Sequence, residues 1–140
     1  MAVLLLDTSV VLASLDAGEP HHLACDRLLG AGGHRLFAHG LAETFSILTG
    51  SRQGRRLRPA LAVQLLGESV LPFVELVHLT GRETLAAIGD AERRGARGGA
   101  VYDLLHLCAA RKAGVQALVT LNLSDFKALW RPGDPDIRAP

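Results

Sequence analysis

Residues 3–9 read Val3-Leu4-Leu5-Leu6-Asp7-Thr8-Ser9, and the change of character along this stretch decides the fold. Four apolar residues without alternation are the pattern of a short strand covered on both faces. A carboxylate closes the run, and Thr8-Ser9 supplies a helix start. A covered strand feeding directly into a helix is the opening of a βαβ unit, and the chain downstream repeats it. Val10–Leu15 and His22–Leu29 read as helices, the second stopped by Gly30 and the Gly32-Gly33 pair. His34–His39 reads as a strand, Gly40–Leu48 as a helix, and residues 50–58 as a basic loop. Pro59 suits a first helical position ahead of Ala60–Leu71. Phe73–Leu79 is a further strand, Arg82–Arg94 a helix, and Gly95–Gly99 a loop. Ala100–Ala113 is a strongly apolar helix closed by Gly114, followed by a strand at Ala117–Leu121 and a short helix at Asp125–Leu129. For the tail from Arg131, an edge strand and an irregular segment both remain open. The expectation is an α/β protein: one domain over residues 1–140, with a mainly parallel sheet between helices.

Composition narrows the function. With 140 residues, no internal repeat and no long linker, the chain is sized for a single domain. Apolar residues make up 49% and aromatics only 4%, so the core must be built from Leu, Ala and Val. Fifteen Lys and Arg against 14 Asp and Glu give a formal +1, which argues against a polybasic binder and against an acidic disordered tail. Segregated charge on a nucleic-acid enzyme stays compatible with that sum. No apolar run approaches the ~20 residues that span a bilayer. The N-terminal run has no basic segment before it and ends at Asp7, unlike a signal peptide. Cys25 and Cys108 lie in apolar helical surroundings and read as free thiols. A cytoplasmic location is the expectation.

The informative acids are those in apolar settings. In open parallel sheets, ligands bind beyond the carboxyl ends of the strands. Asp7 ends the first strand there, and Asp125 follows the last clear one, in Leu121-Asn122-Leu123-Ser124-Asp125-Phe126. Glu43 sits early in a helix, within Leu41-Ala42-Glu43-Thr44-Phe45. Asp103 interrupts a helix that is apolar on nearly every face, where a lone carboxylate must take a proton, find a cation or hold a metal. Each acid has an ordinary alternative. Asp7 and Asp125 suit helix caps, and Glu43 suits a charge placed on a helix dipole. Asp103 suits an ion pair with Arg97 or Arg111. As a set, without a Cys/His cluster, the carboxylates favour a hard cation held through oxygen, Mg²⁺ or Mn²⁺, and phosphodiester hydrolysis.

Four blocks carry a resemblance to a known family: Leu5-Leu6-Asp7-Thr8-Ser9, Ala42-Glu43, Gly99-Ala100-Val101-Tyr102-Asp103, and Thr120-Leu121-Asn122-Leu123-Ser124-Asp125-Phe126. In order and spacing they resemble PIN-domain nucleases, and among these the VapC-type toxins of toxin–antitoxin pairs. The resemblance implies a PIN-like α/β/α sandwich, a Mg²⁺- or Mn²⁺-dependent endoribonuclease, a homodimer, and an antitoxin that covers the acidic groove. Carried over by position, Asp7, Glu43 and Asp103 are the core acids. Asp125 is the fourth candidate, and Asn122 is a neutral ligand or substrate contact. Thr8 and Ser9 match small hydroxyl positions near the site and are candidate substrate contacts, and Thr120 matches a residue that orients a carboxylate. One metal or two stays open.

Basic residues supply the candidate RNA contacts. Arg52, Arg55, Arg56 and Arg58 lie in one loop, open between RNA and antitoxin, while Arg93, Arg94 and Arg97 precede the Asp103 helix and are assigned to RNA. Tyr102 is the aromatic beside the site, whereas Phe126 and Trp130 read as packing residues. His106, one turn from Asp103, reads more readily as a core histidine than as a ligand. Two other functions compete. A PIN-like module could bind RNA or protein without hydrolysis. An aspartyl phosphotransfer or dehalogenase-like enzyme would use Asp7 as nucleophile, but Ser9 stands where its second Asp belongs and Lys127 is its candidate lysine.

Overall fold

The structure is a computed structural model that describes residues 2–50 and 56–140. Arg52 and Arg55 lie outside the described residues. The elements run β1 (Leu4–Leu6), α1 (Thr8–Leu15), α2 (His22–Ala31), β2 (His34–Phe37), α3 (His39–Gly50) and α4 (Pro59–Ser69). After a 3₁₀ turn at Leu71–Phe73 come β3 (Val74–Val77), α5 (Gly81–Gly89), α6 (Ala91–Arg94), α7 (Ala100–Ala113), β4 (Ala117–Val119), α8 (Leu123–Leu129) and β5 (Asp136–Arg138).

All pairings are parallel, in the order β3-β2-β1-β4-β5. Alternation along the strands divides the core between the two faces. Leu5, Phe37 and Leu118 join Leu104, Leu107 and Phe126 of α7 and α8 on one side. Leu6, Leu36 and Val119 join Val10, Val11, Cys25 and Leu66 of α1, α2 and α4 on the other. Leu5 and Leu6 are both fully buried, so the covered strand expected at the start of the chain forms as an α/β/α sandwich. α7 ends where Gly114 adopts a left-handed φ of 65°. The Gly114 and Val115 amides then close onto the Arg111 and Ala110 carbonyls. Among the described residues, no helix is long and apolar enough to cross a membrane.

Two elements differ from the sequence expectation, and the tail takes one of the two forms left open for it. The strand from His34 stops at Phe37, because the Leu41 amide already turns back to the Ala38 carbonyl and His39 opens α3. The tail resolves as β5, paired with β4 through Leu118 and Ile137. The helix expected over Arg82–Arg94 breaks at Asp90, whose carboxylate receives Arg93 through two bonds and Arg94 through Nε at 2.9 Å.

That break corrects one functional expectation. Arg94 turns inward rather than towards a substrate. Its guanidinium pairs with buried Asp134 and donates to the Leu129 carbonyl at 3.2 Å, tying α6 to the segment before β5. Asp134 Oδ2 also accepts from the Arg131 amide at 2.9 Å. These partners hold the Arg94 proton far more tightly than usual, with the Asp134 hydrogen bond the largest cause. Arg94→Ala should cost about 3 kcal/mol of stability, since buried Asp134 keeps only the Arg131 amide and the more distant, exposed Arg111. Urea denaturation of the variant against the unsubstituted chain measures it.

Candidate functional site

Strand connections proceed outward in one direction from β1 and in the other from β4, so a crevice opens where these two strands end side by side. Asp7 stands at that point. Its backbone amide donates to the Val119 carbonyl at 3.0 Å, and its own carbonyl accepts the Val10 and Val11 amides that begin α1. The side chain does different work. Asp7 Oδ2 accepts from Ser9 Oγ at 2.8 Å and from Thr120 Oγ1 at 2.9 Å. Those hydroxyls are held in turn, Ser9 Oγ by the Leu121 amide at 3.0 Å and Thr120 Oγ1 by the Asn122 amide at 2.9 Å. Asp7 thus starts the helix through its backbone and keeps its carboxylate for the crevice. Thr120 orients a carboxylate as the resemblance implies. Ser9, expected to face substrate, shares that task.

Asp103, in the first turn of α7, feels every other candidate acid. Burial and the nearby charges of Asp7, Asp125 and Glu43 push its carboxyl up to about 6, against a smaller opposing pull from His106. Neither arginine offered as its ordinary partner takes it. Arg111 lies 3.8 Å from Asp134, and Arg97 is exposed in the loop before α7. Asp125 and Asn122 are exposed at the start of α8.

His106 is the functional residue that the sequence reading set aside. It is fully buried, yet Nε2 donates to Glu43 Oε1 at 2.8 Å and lies 3.9 Å from Asp7 Oδ1. Burial is the largest influence on it and disfavours its charged form. The Glu43 hydrogen bond and the charges of Asp7, Glu43 and Asp103 together outweigh that, and its pKa is raised. Its i+3 position from Asp103 was the available signal. His106 Nδ1 and Thr8 Oγ1, both buried, have no hydrogen-bond partner among the described residues. The close approach of α3 depends on Gly40. A Cβ there would stand 3.2 Å from Leu36 Cδ1 and 3.5 Å from both His106 Cε1 and Thr8 Oγ1.

The remaining basic candidates separate. Arg93 is exposed, but its fork is occupied by Asp90. Arg97 is exposed, as are Arg56 and Arg58 before α4. Four carboxylates with hydroxyl and amide neighbours, and thiols elsewhere, suit a hard oxygen-seeking cation. The raised Asp103 pKa marks negative charge that such a cation would neutralise. Among the described residues, no group of three or more His, Cys, Asp or Glu already stands at metal-holding spacing. The fit therefore lies in donor chemistry and charge, with Glu43 held by His106.

A family model described as the PIN domain matches residues 4–129. Among solved structures, VapC20 of Mycobacterium tuberculosis, described as a Sarcin-Ricin loop cleaving toxin, is similar with a TM-score of 0.69. It has 22% identity, over 94% of this chain and 99% of that one. FitAcB from Neisseria gonorrhoeae has a TM-score of 0.67 and 17% identity, over 97% and 96% of the two chains. VapBC2 from Rickettsia felis, bound to a DNA fragment from their promoter, has 0.66 and 18%, over 99% and 98%. No curated protein sequence matches the chain.

Three measurements probe this geometry. Carboxyl NMR of the metal-free protein should find Asp103 titrating near pH 6, and Asp7→Asn should lower that value by removing a neighbouring negative charge. Because the folded pKa lies above the ordinary 3.8, Asp103 stabilises the fold below about pH 4 relative to higher pH. That advantage is lost as pH rises through about 6, so Asp103→Asn should gain relative stability above pH 6. Gly40→Ala should cost about 1–3 kcal/mol by overpacking, read as a lowered denaturation midpoint.

Proposed function

The chain belongs to the PIN-domain family, and on that premise we propose that it is a Mg²⁺- or Mn²⁺-dependent endoribonuclease acting as the toxin of a toxin–antitoxin pair. The observation that carries the reading is the concentration of Asp7, Glu43 and Asp125 charge on Asp103 at the crevice between β1 and β4. Asp7, Glu43, Asp103 and Asp125 are the residues that would hold the ion. When bound, such an ion supplies Lewis acidity toward the phosphodiester and its attacking water.

The protein's own part is placement. Ser9 and Thr120 fix the orientation of Asp7. His106 restrains Glu43 from beneath. Thr8, Asn122 and Arg97 are the substrate contacts in this reading, with Arg97 an exposed guanidinium able to take a phosphate. RNA in the cytoplasm is the substrate. Exposed Ile47 on α3 and Leu61 and Val63 on α4 offer apolar surface suited to a protein contact, in keeping with a homodimer and an antitoxin partner.

A non-catalytic PIN-like module that binds RNA or protein is the second reading. It is favoured by one observation, the engagement of Glu43 with His106 in place of an assembled acidic set. Cleavage separates the two. Purified protein freed of any antitoxin should cut RNA with Mg²⁺ or Mn²⁺ and stop when EDTA is added. Asp7→Asn and Asp103→Asn should each lower the rate at least about a hundredfold, or ~2.7 kcal/mol of barrier. RNA binding with no cation-dependent cleavage in the unsubstituted protein would establish the binding module instead.

A further inference from the structure

The chain is poor in aromatics, yet several of its rings form one continuous series at the site. Tyr102 lies flat against His39, with ring centroids 5.3 Å apart and planes 11° from parallel. His39 leans on Phe37 at 6.0 Å, and Phe37 meets His106 edge-on at 5.2 Å. His106 in turn meets Phe126 edge-on at 6.5 Å. Phe126 and His106 are fully buried, and Phe37 nearly so. The series therefore climbs from the core to the surface and ends on an exposed ring, since Tyr102 keeps 46% of its surface.

The location of that last ring gives it meaning. Tyr102 immediately precedes Asp103. His39 is four residues before Glu43 on α3, so it shares a helix face with that acid. The stack thus forms a rim of the acidic crevice from two helices at once. A lone exposed tyrosine is mobile and must be ordered before it binds anything. Here His39 backs one face of the phenol ring, and Phe37 braces His39. A planar partner laid on the outer face extends an existing stack at little cost in side-chain freedom. Aromatic faces accept any base, and they serve unpaired nucleotides because a duplex hides its base faces.

We propose that Tyr102, backed by His39, is a stacking platform for one unpaired nucleobase next to the phosphodiester held at the carboxylates. The platform selects single-stranded RNA over duplex without reading base identity. This rests on the ribonuclease reading, and its test is arranged so that the two can fail separately.

Binding is measured with an Asp7→Asn protein in Mg²⁺, by anisotropy of a labelled single-stranded oligoadenylate. An abasic ribose-phosphate strand of equal length serves as the second probe. Adding Tyr102→Ala should weaken oligoadenylate binding about tenfold or more, whereas Tyr102→Phe should retain it. Neither substitution should change affinity for the abasic strand. In the cleaving protein, Tyr102→Ala should raise KM for single-stranded RNA more than it lowers kcat. Equal oligoadenylate affinity with and without Tyr102→Ala overturns the platform. So does an equal loss on the abasic strand, which would place the effect on the backbone or the fold. Cleavage of RNA unaffected by Tyr102→Ala overturns the platform and leaves the nuclease standing. Absence of both cleavage and oligoadenylate binding overturns the two together.

Discussion

Mutual repulsion of carboxylates at a partly buried sheet edge is the constraint around which this protein is arranged. The charge of Asp7 reaches Asp103 at the end of the sheet, and the side chains that donate to Asp7 there are hydroxyls. Two hydroxyls satisfy one oxygen of Asp7 without neutralising it. The cost appears at Asp103, which holds its proton to about 6. An arginine such as Arg94 could have removed that tension. The fold places Arg94 on the far side of α7, against Asp134 and Asp90. Arginine and carboxylate are paired where rigidity is needed, while in the crevice one histidine stands among the acids.

The helices that frame the crevice meet through small contacts. Gly40 lets α3 approach Leu36, Thr8 and His106 without a methyl between them. The same approach brings Glu43 onto His106 and stacks His39 on Tyr102. One missing side chain therefore sets the distances of both the acidic and the aromatic parts of the crevice. The sheet adds direction. Because every strand is parallel, the loops bearing Asp7 and Asn122 emerge on the same edge.

Much of this was legible in the residues. Val3–Leu6 announced a covered strand, and the alternation of Leu5 and Leu6 between two core clusters is the physical form of that signal. Asp103 was conspicuous because its helix is apolar around it. Arg94 misled because a run of arginines looks the same whether one of them turns inward or all face water. What distinguished it was Asp134, forty residues away in sequence. His106 misled for a related reason. Its burial was correctly read, but burial hides a group from water without hiding it from Glu43, 63 residues upstream. Local pattern reveals elements, while partners drawn from distant elements become visible only when the sheet assembles.

The bond between Thr120 and Asp7 joins residues 113 positions apart. Its closure waits on the longest loop that the central strands make, a contact of the kind that slows folding. A chain interrupted before β4 carries Asp7, Glu43 and Asp103 but lacks the hydroxyl that orients the first of them. The oriented carboxylate of the crevice thus belongs only to molecules that have completed the sheet.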